Sequence, residues 1–231
     1  MSQDAIDQVI DIAIEHFSRD GYSDTKLEAI SRESGMSKRM IHYHFGDKKG
    51  LYQQALARAA SQLNPEVENL ELDSAVPVEG VRQLVDWIFQ QHINHPTALR
   101  MMSMETSQRV LGSSHQAVVD VSALSLHLDR LLMHGQDSGA FRPGISANDI
   151  FMLISSLTSY RLNNQAMMEN LLGVDMLNDA NTTGIHRLIV DTVLAFLTAN
   201  IPDSGHKSYL TSDRFNTEEG DAASPQDIYD I

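Results

Sequence analysis

The chain has no cysteine in its 231 residues. Disulfides, thiolate zinc centres and cysteine nucleophiles are therefore excluded, and a reducing compartment suits it. Long apolar runs are missing too. Arg, Asp, His or Asn interrupts each hydrophobic stretch before it reaches the roughly 18 residues of a membrane span, so no membrane partner is expected. The start, MSQDAIDQVID, lacks the basic patch and apolar block of a secretory leader, and a cytoplasmic protein is expected. With 6 prolines and 13 glycines the chain is not fibrous or low-complexity. Catalytic signatures are also absent. There is no Gly-x-Ser-x-Gly elbow, Gly-rich phosphate loop or His-Glu-x-x-His run, and no Glu-x-x-His pair for a di-iron bundle. No catalytic residue and no cofactor are assigned, and no enzyme is expected. His92 and His95 lie one turn apart at a helix end, but no acidic cluster accompanies them, so no metal site is assigned.

What is present is an uneven charge distribution. The overall balance is 17 basic against 31 acidic residues, net −14, which taken as a uniform field would repel nucleic acid. Residues 25–58 reverse that sign. Lys26, Arg32, Lys38, Arg39, Lys48, Lys49 and Arg58 face only Glu28, Glu33 and Asp47, giving 7 − 3 = +4. No lysine follows until Lys207, and from residue 200 onward seven acids face Lys207 and Arg214. A basic module thus precedes an acidic body and an acidic tail.

The hydrophobic period is helical nearly throughout. Ile6, Val9, Ile10, Ala13 and Phe17 mark one face of a first helix, which Gly21 ends. A short second helix carries Leu27 and Ile30, with Asp24 or Thr25 as its expected cap. Ser37 caps a third helix to about His44. After the Gly46-Asp47 turn, Asp47 caps a fourth through Leu51, Tyr52, Ala55 and Leu56, ended by Asn64-Pro65. Further helices are expected near 78–94, 97–111, 115–134, 147–171 and 183–199. His95-Pro96, Gly112 to Ser114, Gly135 to Gly144, and Gly173 to Gly184 are the expected turns. No alternating strand pattern of useful length occurs, so the fold class is all-α. Hydrophobic residues, 42% of the chain, suffice for one large or two small domains. The expected organisation is residues 1–47 as a helix-turn-helix domain, 48–63 as a connecting helix, 64–200 as a helical effector and dimerisation domain, and 201–231 as an acidic, disordered tail.

The basic segment has the form of a helix-turn-helix. Gly35 supplies the tight turn, Ala29 allows close helix approach, and Ile30, Met36, Ile41 and Phe45 are spaced to pack inward. The outer face of the third helix then offers Ser37, Lys38, Arg39, Met40, His42, Tyr43 and His44. Such a helix meets base edges near its N-terminus and phosphates at its flanks. Arg39 suits a forked contact to guanine, and Lys48 suits a phosphate held at the next helix N-terminus. Gly21-Tyr22, Thr25, Ala29-Ile30, Ser34-Gly35-Met36-Ser37, Tyr43-His44-Phe45, Lys48 and Leu51 together resemble the DNA-binding domain of TetR-family (tetracycline-repressor-like) transcription regulators. Arg39 and His42 depart from the Gly and aromatic residue common there, so an operator sequence does not transfer. The resemblance implies a homodimer, Thr25 in the double-stranded DNA contact set, and a C-terminal domain that takes a small-molecule effector and dimerises through its last two long helices.

The body adds its own indications. Ile150, Phe151, Leu153, Ile154, Leu157 and Tyr160 lie in one segment and Ile185, Leu188, Ile189, Val193, Leu194, Phe196 and Leu197 in another. The second set is wider than one face needs, so its helix is either buried centrally in an intramolecular core or covers a partner. Its position matches the dimerisation pair that the resemblance implies, so dimerisation through helices near 147–171 and 183–199 is expected, with a near-palindromic site whose half-sites lie roughly 34 Å or more apart. Methionine and scattered polar groups mark effector-binding candidates: Trp87, His92, Met101, Met104, Glu105, His127, Arg130, Met152 and Tyr160. Phe89, Met102, Met133 and His134 are weaker ones. The expected function is a ligand-released, sequence-specific repressor. A partner-controlled DNA binder and a helical carrier that binds no DNA are the alternatives.

Overall fold

The computed structural model describes residues 3–64, 76–112, 122–201, 205 and 208–210. Among these residues there are ten α-helices and no strand. In α1 (Gln3–Asp24), Val9, Ile10, Ala13 and Phe17 form the buried ridge, and Gly21 breaks the helical backbone with a φ of 76°, a region open chiefly to glycine. Next come α2 (Leu27–Ser34) and α3 (Lys38–Phe45), joined through Gly35 in the left-handed region. The Ser37 hydroxyl accepts the Met40 N–H to cap α3, and the Asp47 carboxylate accepts the Gly50 N–H at 2.7 Å to cap α4 (Lys48–Leu63).

The cap expected for α2 is not found. Lys26 holds that position without a side-chain bond. The Thr25 hydroxyl turns inward instead and donates to the Gly21 carbonyl at 2.7 Å, a carbonyl that also accepts the Thr25 N–H at 3.3 Å.

The remaining helices are α5 (Pro77–Asn94), α6 (Pro96–Gln108), α7 (Ser122–Asp137), α8 (Ala147–Asn163), α9 (Gln165–Leu172) and α10 (Asp179–Thr198). Residues 115–121 of the expected 115–134 helix lie outside the described residues. Four expectations need correction. The single helix over 147–171 is two, separated at Asn164. The turn reaching Gly184 is shorter, because Asn178 accepts the Asn181 N–H and starts α10 early, leaving Gly184 within the helix. Gly135 is likewise helical rather than a turn. A β-carbon there would collide with the Phe141 ring, so its small size serves packing. Finally, residues 208–210, expected in a disordered tail, are seated on the N-terminus of α8. The Tyr209 and Leu210 N–H groups and the Ser208 hydroxyl donate to Asp149, and Arg142 donates to the Tyr209 hydroxyl.

Two apolar cores result. The first unites α1 to α4 around Phe17, Ile30, Ile41, Leu51 and Leu56, and it also takes in Ala98, Leu99 and Met101 of α6. The second joins α5, α7, α8 and α10 around Leu84, Leu128, Ile150, Ile154, Ile189 and Val193. A polar bond reinforces the first core. The Tyr52 hydroxyl donates to Glu105 Oε2 at 3.0 Å, and the Leu111 N–H donates to Glu105 Oε1 at 3.0 Å. Burial, aided by this bond, pushes the Tyr52 phenol well above its usual range. In α5, burial lowers His92 to about 4.

Two stability measurements follow. Glu105→Ala leaves a buried hydroxyl and a buried N–H unpaired at about 1–3 kcal/mol each, so denaturant midpoints should fall by far more than for a surface substitution. For His92, the unfolded imidazole gains a proton below about 6.5 while the folded one resists to about 4. Stability should therefore fall as pH drops through that window, by about 3 kcal/mol in total. His92→Phe should flatten the slope of melting temperature against pH.

Candidate nucleic-acid interface

Ser37 caps α3 and Phe45 ends it, so α3 is only about two turns long. Its inner side is Ile41, fully buried, with Met40 and Phe45 packed against the first core. Its outer side carries Ser37, Lys38, Arg39, His42 and Tyr43 to solvent, Tyr43 being 79% exposed. An apolar residue left that open on a rigid short helix is suited to a partner surface.

The outer side chains are not equally available. Lys38 forms an ion pair with Glu28 of α2. His42 Nδ1 donates to the Gly46 carbonyl at 2.9 Å, which fixes the ring and leaves Nε2 outward. Arg39 has no side-chain partner and is free to fork onto a base edge. Met40 and His44 are half-buried, and His44 Nε2 has no hydrogen-bond partner. His44 instead lines a cleft of about 490 Å³ between α1 and α4, with Asp7, Phe45 and Arg58. Lys48 Nζ donates to the Ser23 carbonyl at 3.1 Å and lies 4.7 Å from the Tyr22 ring centre. Its burial there lowers its basicity. Thr25, 2% exposed, is turned inward. Of the nine residues expected at DNA, the structure exposes five on α3 and its cap, leaves Met40 and His44 half-buried, and pairs the Thr25 and Lys48 side chains with backbone carbonyls. Lys26 and Lys49 are exposed as well. The charge count contained them, but the motif did not single them out.

The nine effector candidates do not share one site. Met101 and Glu105 belong to the first core. Arg130, Met152 and Tyr160 are exposed. Trp87 packs on the second core, Met104 and His127 are half-buried, and only His92 is a buried polar group of α5. Of the weaker candidates, Phe89 stacks on the His186 ring at 4.8 Å, Met102 packs on the first core, and Met133 and His134 are exposed. Composition scattered them because methionine suits core and surface alike. Sequence reasoning passed over Arg161, which is buried on α8. Its signal was a charged residue on the helical face shared by Ile154 and Thr158. No group of three His, Asp or Glu suited to a metal occurs among the described residues, and no described helix is long and apolar enough to cross a membrane.

Comparison with known proteins agrees with this geometry. Residues 9–55 match the pattern of bacterial regulatory proteins of the tetR family, and residues 77–193 match the tetracyclin repressor-like C-terminal domain. The HTH-type transcriptional repressor NicS of Pseudomonas putida is 27% identical over 173 residues, spanning 74% of this chain and 81% of NicS. The biofilm operon negative regulator IcaR of Staphylococcus aureus is 32% identical over 84 residues, 36% of this chain and 45% of IcaR. Among solved structures, FadR of Bacillus subtilis in complex with stearoyl-CoA has a TM-score of 0.60 at 17% identity, covering 80% of this chain and 97% of FadR. The putative regulator SCO4942 of Streptomyces coelicolor has a TM-score of 0.61 at 21% identity, covering 84% and 98%. With an exposed reading helix on a basic module and a matched C-terminal domain filling half the sequence, the chain belongs to the tetR family of bacterial regulatory proteins.

Proposed function

We propose that the chain is a homodimeric, cytoplasmic repressor without enzymatic activity, released from a near-palindromic operator by a small-molecule effector. Residues 1–47 read double-stranded DNA, 48–63 connect, and 64–200 bind the effector and the second subunit. The observation that carries the DNA role is Arg39 and Tyr43, uncovered on a Ser37-capped α3 within a +4 segment. Arg39 reads a base pair. Ser37, Lys38, His42 and Tyr43 bind phosphate and sugar, and Lys48 exchanges the Ser23 carbonyl for a phosphate on binding.

Dimerisation is supported by the outer faces of α8 and α10. Met152, Tyr160 and Leu188 are exposed there while the opposite faces of the same helices are buried. A two-fold pairing of these helices gives each subunit one reading helix and sets their spacing.

The effector acts by population shift. Because α6 packs in the same core as α1 and α4, a displacement of α6 moves the reading helix as a body. A hundredfold loss of DNA affinity requires about 2.8 kcal/mol of differential effector binding, at 1.4 kcal/mol per tenfold. The NicS repressor relative and the FadR structure with a bound acyl-CoA support this reading by kinship and by fold respectively.

Selection of bound fragments from genomic DNA tests the proposal. It should return paired half-sites, and failure to retain any duplex at low salt overturns it. Arg39→Ala should weaken the selected site about ten- to a hundredfold and relax preference at one base pair. Lys48→Ala should weaken all duplexes alike and flatten the salt dependence. Leu188→Arg places a charge in the expected subunit contact. Sedimentation should then show monomers, and operator affinity should fall with them.

A further inference from the structure

The body contains seven arginines and no lysine between residues 64 and 200. Six of the arginines reach solvent at least in part, while Arg161 is only 9% exposed. It lies on α8 among Ile154, Thr158 and Leu162. One Nη group donates to Thr182 Oγ1 at 2.8 Å. Nε is buried with no hydrogen-bond partner, and among the described residues no carboxylate lies within ion-pair distance of the guanidinium. Asp175 attracts it from farther away, and one Asp175 oxygen already accepts the Leu177 N–H. A fixed cation withdrawn from water without a counterion is costly and calls for one.

A second unsatisfied group sits at the same end of the bundle. Gly80, near the start of α5, abuts Leu131 in the last turns of α7. Arg142, just beyond α7, donates its N–H to the Leu197 carbonyl near the end of α10. α5 therefore starts at the Leu197 end. Midway along, Asp86 and Phe89 meet His186. The next turn brings His92 toward the level of Thr182 and hence of Arg161. His92 is also 9% exposed, and its Nδ1 has no partner. This end of the bundle adjoins α6 through Asn163, which donates to the Ser103 hydroxyl at 2.9 Å.

We propose that Arg161 is the anion-binding group of the effector site and that the effector is a small monocarboxylate with an apolar body. This rests on the effector-binding reading above and specifies its chemistry. The planar guanidinium matches two carboxylate oxygens, Nε–H donating to one and an Nη–H to the other. His92, neutral because burial holds it so, hydrogen-bonds a second polar atom. A single buried cation balances one negative charge. A coenzyme A thioester or a nucleotide carries several phosphate charges and would need more cations than this domain buries. The carboxylate end seats beside α6, the helix that shares its core with the reading module.

The test uses full-length protein and seven probes: benzoate, hexanoate and butyrate against benzamide, hexanamide, butyramide and palmitoyl-CoA. At least one acid should raise the melting temperature and lower wild-type operator affinity about tenfold, the size of a modest allosteric coupling, while its amide does neither. Arg161→Gln keeps a donor for Thr182 but removes the charge. It should retain its helical circular dichroism and lose the acid-dependent thermal shift. If that variant does not fold, Arg161→Lys, with charge but no fork, should show a reduced shift. No response to any of the three acids, an equal response to an amide, release by palmitoyl-CoA instead, or an undiminished shift in the variants each overturns the assignment. In all those cases operator binding by the wild type leaves the regulator reading intact, whereas absence of DNA binding removes that reading itself.

Discussion

The molecule depends on a carboxylate that holds two modules together. Glu105 receives the Tyr52 hydroxyl from α4 and the Leu111 N–H from the end of its own helix. Around it, Ala98, Leu99 and Met101 complete the core begun by α1 to α4. The reading module is too small to bury much surface alone, so it borrows a wall from the helix that follows α5. That shared wall ties the first four helices to the C-terminal body, so under the proposed function a shift of α6 would carry the first core with it.

The same helix touches the module a second time near the reading surface. The Gln108 side chain accepts the Tyr22 N–H at 3.0 Å, one residue past the break at Gly21. Tyr22 in turn supports Lys48, and Thr25 closes the break from inside. Gly21, Tyr22 and Thr25 thus form a joint that ties the end of α1 to α4 and α6. Their chemistry fits that role: a residue with no Cβ for the positive φ, a ring to cover a cation, and a hydroxyl within reach of the Gly21 and His16 carbonyls.

Much of this was legible in the sequence. The helical period, the caps at Ser37 and Asp47, the left-handed Gly35 and the inward set Ile30, Met36 and Ile41 are local features, and local features are encoded locally. The basic module was visible only once the charge was divided by segment. What sequence reasoning missed depends on long-range geometry. Nothing in the pattern around Glu105 says that its partner is 53 residues away. Nothing around Arg161 separates a charge that ends a face from one that is enclosed. For Thr25 and Lys48, whose residue types suit phosphate, nothing local in the sequence signals that the Gly21 and Ser23 carbonyls accept their side-chain hydrogens. Gly184 and Gly135 were read as turns because glycine marks turns, whereas here one is tolerated inside a helix and the other makes room for a ring.

Asp149 bears on the acidic C-terminal run. It accepts the Tyr209 and Leu210 N–H groups at the first turn of α8, while Asn163 at the other end of that helix meets α6. The two points are about 20 Å apart at 1.5 Å per residue, beyond the screening length of roughly 8 Å in physiological salt. Residues 208–210 are therefore anchored at the end of α8 opposite its contact with α6. The described contacts of that anchor are all with the C-terminal body, at Arg142, Ser146, Asp149 and Phe196, which leaves the +4 stretch of residues 25–58 clear of it.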